Sequence, residues 1–480
     1  MTQVKMELLT DPTMHLFLEK GIRGGVSMIS KRYSRANNKY LSDYDPTLPS
    51  KYIMYFDKNN LYGWAMVQPL PLMNFKWQDP NNMDEKAILE IEDEGSVGYI
   101  FECDLTYPKT LHDLHNEFPL APEKVTLNET LFSPYLKKNM KAINQSLMGG
   151  TKLIPNLNDK EHYIVHYRNL KLYLKLGLKL KKVHKILMFE QSPWLKPYIE
   201  FNTNQRKNCN SAFERDFFKL MNNAVFGKTM ENLRARIDVK LVNDEKKAKK
   251  CIASPAFQSF SIFDNDLVAV KMQIKTLTLN RPVYAGFSIL DISKTLMFEF
   301  HYDFMKMRYG KNAHLLFTDT DSLCYEISCQ DFYHDMLKDL HMYDTSDYPT
   351  KHPLHSQANK KVIGKMKDEL NGNIAIEFIG LKSKMYSLKT ELFEKKTAKG
   401  VLKPVIQRDL KHEDYRNCLF RKKVYRHNMI KIGSSKHHLS TILSHKVSLS
   451  PLDDKRFLLN DGVNSLAYGH YEWEYWVERK

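Results

Sequence analysis

The sequence predicts an α+β fold in which antiparallel strands combine with long helices. Tyr52–Phe56 is an unbroken apolar and aromatic run, which is typical of a buried strand. His314–Thr318 and Leu323–Ile327 are two further strand candidates separated by four polar residues, and this spacing indicates a β-hairpin with acidic residues at its turn. A helix is indicated by apolar residues that recur every three or four positions: Ala285, Ile289, Ile292, Leu296, Phe300 and Phe304.

Other segments extend this pattern. Gly310 stands where a helix C-cap is expected after the apolar repeat. Ile374–Ile379 is a further strand candidate and leads into Leu381–Tyr386. Leu170–Lys185 fits a strand period and a helix period equally well, and its six lysines, which have no acidic neighbour in the stretch, are interpreted either as solvated surface or as phosphate contacts. A second helical repeat consists of Phe213, Phe217, Leu220 and Ala224.

Composition narrows the classes of protein. Of 480 residues, 42% are apolar and 27% charged, which is typical of a globular chain. The formal net charge of +16 indicates a polyanionic partner, either nucleic acid or an acidic membrane surface. No apolar run approaches the roughly 20 residues that cross a bilayer, and residues 1–18 lack the apolar core of a signal peptide. We therefore expect an intracellular protein that binds nucleic acid and no membrane; the dispersed lysines do not decide whether a eukaryotic host would place it in the nucleus.

The six cysteines are scattered and form no CxxC pair. We expect reduced thiols rather than disulfides or a zinc site. The pairs His112/His115 and His352/His355 have no cysteine close by in sequence, and we expect both pairs at the surface.

Three aspartates are the candidates for chemistry. Asp57 follows one predicted strand, and Asp319 and Asp321 lie at the predicted hairpin turn. Joining nucleotides in water uses two divalent cations, which activate a hydroxyl and stabilise charge on the transferred phosphoryl group. Magnesium prefers oxygen ligands and keeps part of its water, so one or two carboxylates per ion are enough. A carboxylate at a strand end beside another at a neighbouring hairpin turn meets this need, whereas an isolated Asp-x-Asp turn most often only caps backbone amides.

Four segments, in order, resemble the sequence motifs of family B DNA polymerases. Asp57–Gly63 resembles motif A (DxxSLYP), Lys219–Gly227 resembles motif B (KxxxNSxYG), Phe317–Ser322 resembles motif C (YxDTDS), and Lys384–Tyr386 matches the KxY element. The resemblance covers nearly all of the chain. It implies a right-hand architecture: a palm of antiparallel sheet and helices, helical fingers and a small thumb.

Within that family, the chain resembles most the protein-primed polymerases of phages, linear plasmids and self-synthesising transposons of the Polinton/Maverick type. Ile22–Gly25 resembles their YxGG/A element, and the tail segments Ser448–Arg456 and Leu466–Tyr471 resemble the transposon branch. The resemblance implies a DNA-templated DNA polymerase that adds deoxynucleotides to a primer 3′-hydroxyl. The implied partners are template and primer DNA and dNTPs, with a terminal-protein primer as an option.

The resemblance also implies roles for individual positions. Two Mg²⁺ ions, with Mn²⁺ as an alternative, are assigned to Asp57, Asp321 and the backbone carbonyl of Lys58, and Asp319 is a supporting acid. The backbone N–H groups of residues 60–62 are assigned to the incoming triphosphate. The residues concerned are Asn60, Leu61 and Tyr62, and the Tyr62 ring would exclude a 2′-hydroxyl.

Motif B supplies the second group of roles. Lys219 and Asn223 are four residues apart, so they share a helix face. Lys219 is assigned to phosphate contact and proton donation to pyrophosphate, and Asn223 and Gly227 to the nascent base pair. A second cation is expected about three turns earlier, where Lys207 fits better than Arg206. DNA contacts are assigned to Gly24, Gly25, Lys384 and Tyr386.

Six positions depart from the family pattern, and none of them removes a metal ligand. The loss of a hydroxyl at Phe226 is expected to loosen base-pair checking, and Ile22 cannot stack on a template base. The departures are Asn60 for Ser, Gly63 for Pro, Ala224 for Ser, Phe226 for Tyr, Phe317 for Tyr and Ile22 for Tyr.

Only 56 residues precede Asp57, whereas the 3′–5′ exonuclease of the family precedes motif A. We therefore expect no proofreading domain in this chain, and a truncated gene would account for its absence. The expected organisation is 1–75 as the N-terminal part of the palm, 76–155 as a first insertion, 156–236 as fingers, 237–280 as a second insertion, 281–392 as the remaining palm, and 393–480 as thumb and C-terminal segment.

Two alternatives stay open. A truncated or domesticated remnant would bind DNA without synthesis, although the intact Asp57, Asp321, Lys219 and Lys384 argue against decay. Another two-metal enzyme, such as a nuclease or a reverse transcriptase, is disfavoured by motif B and the KxY element.

Overall fold

The structure is a computed structural model that describes residues 2–147, 150–435 and 438–478. Its strands, in chain order, are β1 (Ser27–Ile29), β2 (Tyr33–Arg35), β3 (Lys51–Lys58), β4 (Leu70–Gln78), β5 (Val97–Thr106), β6 (Glu123–Thr126), β7 (Thr151–Ile154), β8 (Lys160–His166), β9 (Lys179–Ser192), β10 (Asp238–Val242), β11 (Phe257–Asp264), β12 (Leu267–Met272), β13 (Ala313–Asp319), β14 (Ser322–Ser328), β15 (Tyr343–Asp344), β16 (Met366–Asp368), β17 (Ala375–Lys382), β18 (Met385–Thr390), β19 (Glu394–Ala398), β20 (Tyr425–Ser435), β21 (His438–Leu449), β22 (Phe457–Leu458) and β23 (Ser465–Leu466).

The helices connect and cover these strands. They are α1 (Pro12–Gly21), α2 (Leu61–Met66), α3 (Glu85–Glu90), α4 (His112–His115), α5 (Pro134–Ala142), α6 (Tyr167–Lys175), α7 (Lys196–Asn208), α8 (Ala212–Thr229), α9 (Glu245–Ile252), α10 (Val283–Glu299), α11 (Met307–Tyr309), α12 (Phe332–Lys338), α13 (Lys403–Asp409), α14 (His412–Arg421) and α15 (Trp473–Glu478). A π-helical stretch, Phe300–Lys306, joins α10 to α11.

A six-stranded sheet in the order β1-β13-β14-β3-β16-β15 forms the centre of the fold. Its pairs are antiparallel except for β15 and β16. In β3, Tyr52, Met54 and Phe56 face one apolar core, while Ile53 and Tyr55 face a second. Because both faces of β3 are covered, an unbroken apolar run is the pattern that this strand needs. The predicted strand and the predicted hairpin of β13 and β14 are confirmed.

Each face of this sheet has its own covering layer. The end of α10 and the π-helical stretch pack against one face through Met297, Phe298 and Phe300. The other face packs against a four-stranded sheet in the order β19-β18-β17-β2, which contributes Phe378 and Tyr386. Further sheets are β4-β9-β5-β8, β10-β12-β11 and the two-stranded ribbons β20-β21, β22-β23 and β6-β7. Antiparallel sheets with separate helices confirm the predicted α+β class.

The apolar repeat ending near residue 304 forms α10 and the π-helical stretch. Gly310 caps the following α11 with a left-handed φ of 52°, a conformation that glycine adopts at low cost, so the predicted C-cap is confirmed. The ambiguous stretch Leu170–Lys185 contains both structures: α6 ends at Lys175 and β9 begins at Lys179, with Gly177 between them at a φ of 105°.

The histidine prediction is half wrong. His112 and His115 are buried, because α4 lies beneath the C-terminal segment, where the backbone N–H of Tyr471 donates to His112 and Tyr107 hydrogen-bonds His115. The spacing of the two histidines did not indicate this cover. Tyr471, which contacts His112, is more than 350 positions away in sequence. The six cysteines are unpaired.

Candidate active site

Asp57 and Asp321 lie side by side at one end of the central sheet. The antiparallel register pairs Asp57 of β3 with Ser322 of β14, so Asp321, the residue before Ser322, lies next to Asp57. The backbone N–H of Lys58 donates to the carbonyl of Asp321 over 2.7 Å. Two strands of one sheet therefore bring both predicted carboxylates, with Lys58, to the same place.

The hairpin turn that carries Asp321 is fixed by the segment before β1. Thr320 has a left-handed φ of 67°, and its N–H donates to the carbonyl of Val26 over 2.7 Å. A Cβ at Gly25 would overlap the Thr320 side chain. Gly25 is thus needed for close approach to the turn, whereas Gly24 is exposed with open space around it.

Both carboxylates lie in surroundings that raise their pKa. Burial, followed by repulsion from Asp321 and Glu369, raises the pKa of Asp57 to about 8. Burial also raises the pKa of Asp321, with Asp319 adding to the effect. Both shifts disfavour the charged carboxylates, and a bound divalent cation would stabilise the charged form. Two hard oxygen donors with a backbone carbonyl beside them fit Mg²⁺ or Mn²⁺ better than a soft metal.

Side chains alone do not complete such a site. Over the described ranges, no three His, Cys, Asp or Glu side chains are grouped closely enough to bind a metal ion by themselves. Magnesium commonly keeps several waters and takes further ligands from substrate phosphates. The arrangement therefore suits an ion that arrives with a phosphorylated substrate.

A cavity of about 300 Å³ opens over the carboxylates. It contains most of the residues that the sequence assigned to metal and nucleotide binding, although they come from three separate stretches of the chain. Its walls comprise Asp57, Lys58, Asn59, Asn60, Leu61, Tyr62, Arg206, Lys219, Asn223, Thr320, Asp321, Lys367 and Glu369.

Motif A turns from strand to helix at Asn60. This residue is left-handed, with a φ of 47°, and its side-chain oxygen accepts the Gly63 N–H over 3.3 Å at the start of α2. Leu61 and Tyr62 are the first residues of α2, and N–H groups in a first helical turn have no acceptor inside the helix. The Tyr62 ring packs on Phe226 with centroids 4.5 Å apart, so Phe226 fixes its orientation.

The side of the cavity formed by α7 and α8 differs from the prediction at two positions. Lys219 and Asn223 of α8 line the cavity as their shared helix face predicted. Arg206 lines it as well, whereas its neighbour Lys207 does not, because one residue along a helix turns the side chain by about 100°. Gly227 also lies outside the cavity wall, one turn beyond Asn223, with open space where a Cβ would be.

The KxY element divides into one exposed and one buried residue. Lys384 forms the turn between β17 and β18 with a left-handed φ of 59°, and its ammonium pairs with Asp319 over 2.8 Å. Tyr386 is buried; its hydroxyl hydrogen-bonds Tyr55 over 2.9 Å, and its ring stacks on Phe317. Tyr386 thus supports the hairpin from below, and of the two residues Lys384 is the one with a partly exposed side chain.

Sequence reasoning missed three charged residues around Asp57. Lys367 of β16 lies opposite Asp57 in the sheet register, and Glu369 lines the same cavity. Lys395 of β19 pairs with Glu369 and lowers the pKa of Asp57. β16 has only three residues, which is too short for a strand period to be recognised, so the sequence carried no usable signal here.

The lysine-rich stretch has counter-charges that its own sequence lacks. Four of its six lysines pair with acids from other segments, which favours the interpretation as solvated surface. These pairs are Lys171 with Asp93, Lys175 with Asp303, Lys179 with Glu85 and Lys185 with Glu102. Among the described helices, none is long and apolar enough to span a membrane.

The chain has an α+β fold of the polymerase type. Solved structures that it resembles include those of phi29 DNA polymerase. An orthorhombic crystal form superposes with a TM-score of 0.52 at 13% identity, covering 93% of this chain and 65% of that chain. The ternary complex with primer-template DNA and incoming nucleotides superposes with a TM-score of 0.53, and the complex with single-stranded DNA with a TM-score of 0.51. Both have 13% sequence identity to this chain, and each match covers 93% of this chain and 64% of the other.

This chain therefore spans just under two thirds of the length of those polymerase chains. No family model matches it, and no curated protein does. At 13% identity the likeness establishes the fold.

Proposed function

We propose that this chain is a DNA-templated DNA polymerase that adds deoxynucleotides to a primer 3′-hydroxyl by a two-metal mechanism. The observation that carries the proposal is the placement of Asp57 beside Asp321 at the end of two adjacent strands, beneath a cavity that is also lined by Lys219 and Arg206. The polymerase fold and the net charge of +16 support it.

Asp57, Asp321 and the carbonyl of Lys58 are the residues that would hold the two Mg²⁺ ions. When bound, the ions would activate the primer hydroxyl and neutralise charge on the phosphoryl group. Asp319 is a supporting acid, since its ion pair with Lys384 directs it toward the primer side.

The protein's own groups then bind and orient the substrates. Lys219 and Arg206 place two positive charges where the triphosphate enters, and Lys219 donates a proton to the departing pyrophosphate. The N–H groups that open α2 contact the phosphates. Tyr62, held by Phe226, closes the space where a 2′-hydroxyl would lie. Lys384 contacts a primer phosphate and so positions the strand without selecting sequence.

Primer extension tests this proposal. Purified protein receives a labelled primer-template, dNTPs and Mg²⁺, beside an Asp321→Ala variant. We expect extension by the wild type and DNA binding without extension by the variant. DNA binding without extension by either protein would favour a remnant that only binds DNA, and primer shortening would favour a nuclease.

The more specific origin is also proposed: a protein-primed polymerase from a self-synthesising mobile element. The tail segments that resemble the transposon branch support it, and so does the similarity to phi29 DNA polymerase. The test supplies template and one labelled dNTP without a nucleic-acid primer, together with candidate terminal proteins. Label that remains attached to protein after denaturation supports protein priming, and its absence with an active polymerase counts against it.

A further inference from the structure

The C-terminal segment Ser450–Arg456 lies outside the cavity and is attached to residues between 116 and 152. Ser450 donates to Gln145 over 3.2 Å, Asp454 pairs with Lys152, and Arg456 donates to the carbonyl of Asn116 over 2.8 Å. Arg456 is completely buried and Asp453 nearly so. The Arg456 guanidinium donates to both Asn116 and Ser465, and these bonds of a buried charge fix the path of the segment.

Lys455 reaches from this segment toward the catalytic hairpin. Its ammonium donates to the carbonyl of Ser27 over 2.7 Å. Ser27 is paired with Asp319 in the register of β1 and β13. The Ser27 hydroxyl hydrogen-bonds the hydroxyl of Ser383 over 2.7 Å, and Ser383 immediately precedes Lys384. One lysine of the tail is therefore two hydrogen bonds away from the turn that carries Lys384.

A second attachment independently reaches the hairpin of β17 and β18, which carries Lys384. Arg32 is completely buried and donates to the carbonyl of Pro451 in the tail over 2.6 Å. The same guanidinium donates to the carbonyls of Gly380 and Leu381 in β17, which leads into that turn. The tail is thus bound both to β1 and to the strand ahead of Lys384.

We propose that Lys455 is a positioning residue for the primer terminus: by holding Ser27 it fixes the turn of Ser383 and Lys384 beside Asp319. This inference rests on the proposed function. Lys384 has a left-handed backbone that costs free energy, so the turn keeps this shape only while its neighbours determine it. Loss of the Lys455 contact lets Ser27 and the turn move, and the Lys384 ammonium then no longer meets the primer phosphate in a fixed position.

The experiment compares Lys455→Met with Lys152→Met, which removes the lysine of β7 that pairs with Asp454 of the tail. Dissociation constants for a labelled primer-template duplex are measured without dNTPs, and KM values for primer-template and for dNTP are measured during extension. We expect Lys455→Met to weaken primer-template binding about tenfold, the size of one lost hydrogen bond to a charged group, with KM for dNTP unchanged. Lys455→Arg should restore part of the affinity, and Lys152→Met should leave it unchanged.

Equal effects of Lys455→Met and Lys152→Met on primer-template affinity, or an equal rise in both KM values, would overturn the inference. Melting temperatures accompany each variant, and Ser383→Ala replaces Lys455→Met if the latter fails to fold, with the same selective loss expected. The duplex-binding measurement needs no catalysis. A wild type that binds duplex but does not extend it would therefore refute the proposed function, while the binding ratio would still decide the role of Lys455.

Discussion

The helices α8 and α10 have similar lengths and similar apolar spacing, yet α10 is buried in the folded chain and α8 is mostly exposed. Of the 17 residues of α10, 15 are buried, whereas α8 buries only Asn222 and Thr229 among its 18. Phe213 is 79% exposed and Leu220 is 63% exposed. α10 is a structural axis between layers, and α8 is a surface that carries Lys219 and Asn223 into the cavity. The same periodicity therefore occurs in a buried core helix and in an exposed helix that lines the cavity.

The largest expected effect lies on α8 and concerns activity alone. Lys219→Gln removes the ammonium that we assign to phosphate contact and proton donation, so single-nucleotide incorporation should slow about 10²–10⁴-fold. The melting temperature should stay unchanged, because Lys219 belongs to the exposed part of the helix. Lys228→Gln, on the same helix outside the cavity, is the control. Comparable slowing by both variants would remove Lys219 from its assigned role.

On α10 the expected effect is on stability. Ile292 is completely buried, and Ile292→Ala should lower the free energy of unfolding by about 2–5 kcal/mol through lost burial and a residual cavity. Leu220→Ala on α8 should change it by no more than about 0.5 kcal/mol. Denaturant titration measures both. A large loss at Leu220 would mean that α8 is covered in solution and that the comparison fails.

Acid should also destabilise the buried side of this comparison, because the π-helical stretch that continues α10 buries His301. Burial lowers the pKa of His301 to about 3, so the unfolded chain takes up its proton first as the pH falls below about 6.5. The stabilisation is complete above that pH and is lost toward pH 3, at about 1.4 kcal/mol per pH unit. His301→Gln should flatten the fall in melting temperature between pH 6 and pH 4. An unchanged slope would show that other groups dominate.

The smallest expected effect separates two adjacent residues of α7. Arg206 lines the cavity and Lys207 does not. Arg206→Gln should raise KM for dNTPs about tenfold through one lost charge-assisted hydrogen bond, whereas Lys207→Gln should leave KM unchanged. Steady-state kinetics with saturating primer-template measures both values. The opposite ranking would restore the sequence-based assignment to Lys207.

Elements covered on both sides could be predicted from the sequence. β3, the β13–β14 hairpin and α10 have unbroken apolar runs or dense apolar spacing, because burial selects residue type directly. The four motifs, found in order along the sequence, then predicted most of the residues that line the cavity. Asn60 and Gly63 depart from the family together, and the structure explains both: the Asn60 side chain occupies the space of a Cβ at residue 63 and accepts its N–H, which a proline lacks.

Features that depend on distant segments could not be predicted. Periodicity shows which residues share a face but not whether that face is covered, so α8 and α10 looked alike. The counter-charges of the lysine stretch, the cover over His112 and the approach of Glu369 to Asp57 all come from residues remote in sequence. To predict whether Arg206 or Lys207 lines the cavity, the orientation of α7 about its axis would have to be known to within one residue.

The central claim is that Asp57 and Asp321 together bind the catalytic cations. Replacing Mg²⁺ by Fe²⁺ and adding ascorbate and peroxide generates radicals that cleave the backbone beside the bound ion. We predict cleavage near residues 57–58 and 319–322, suppressed by excess Mg²⁺ and abolished in Asp321→Ala. Cleavage confined to other parts of the chain, or unchanged in Asp321→Ala, would contradict the account.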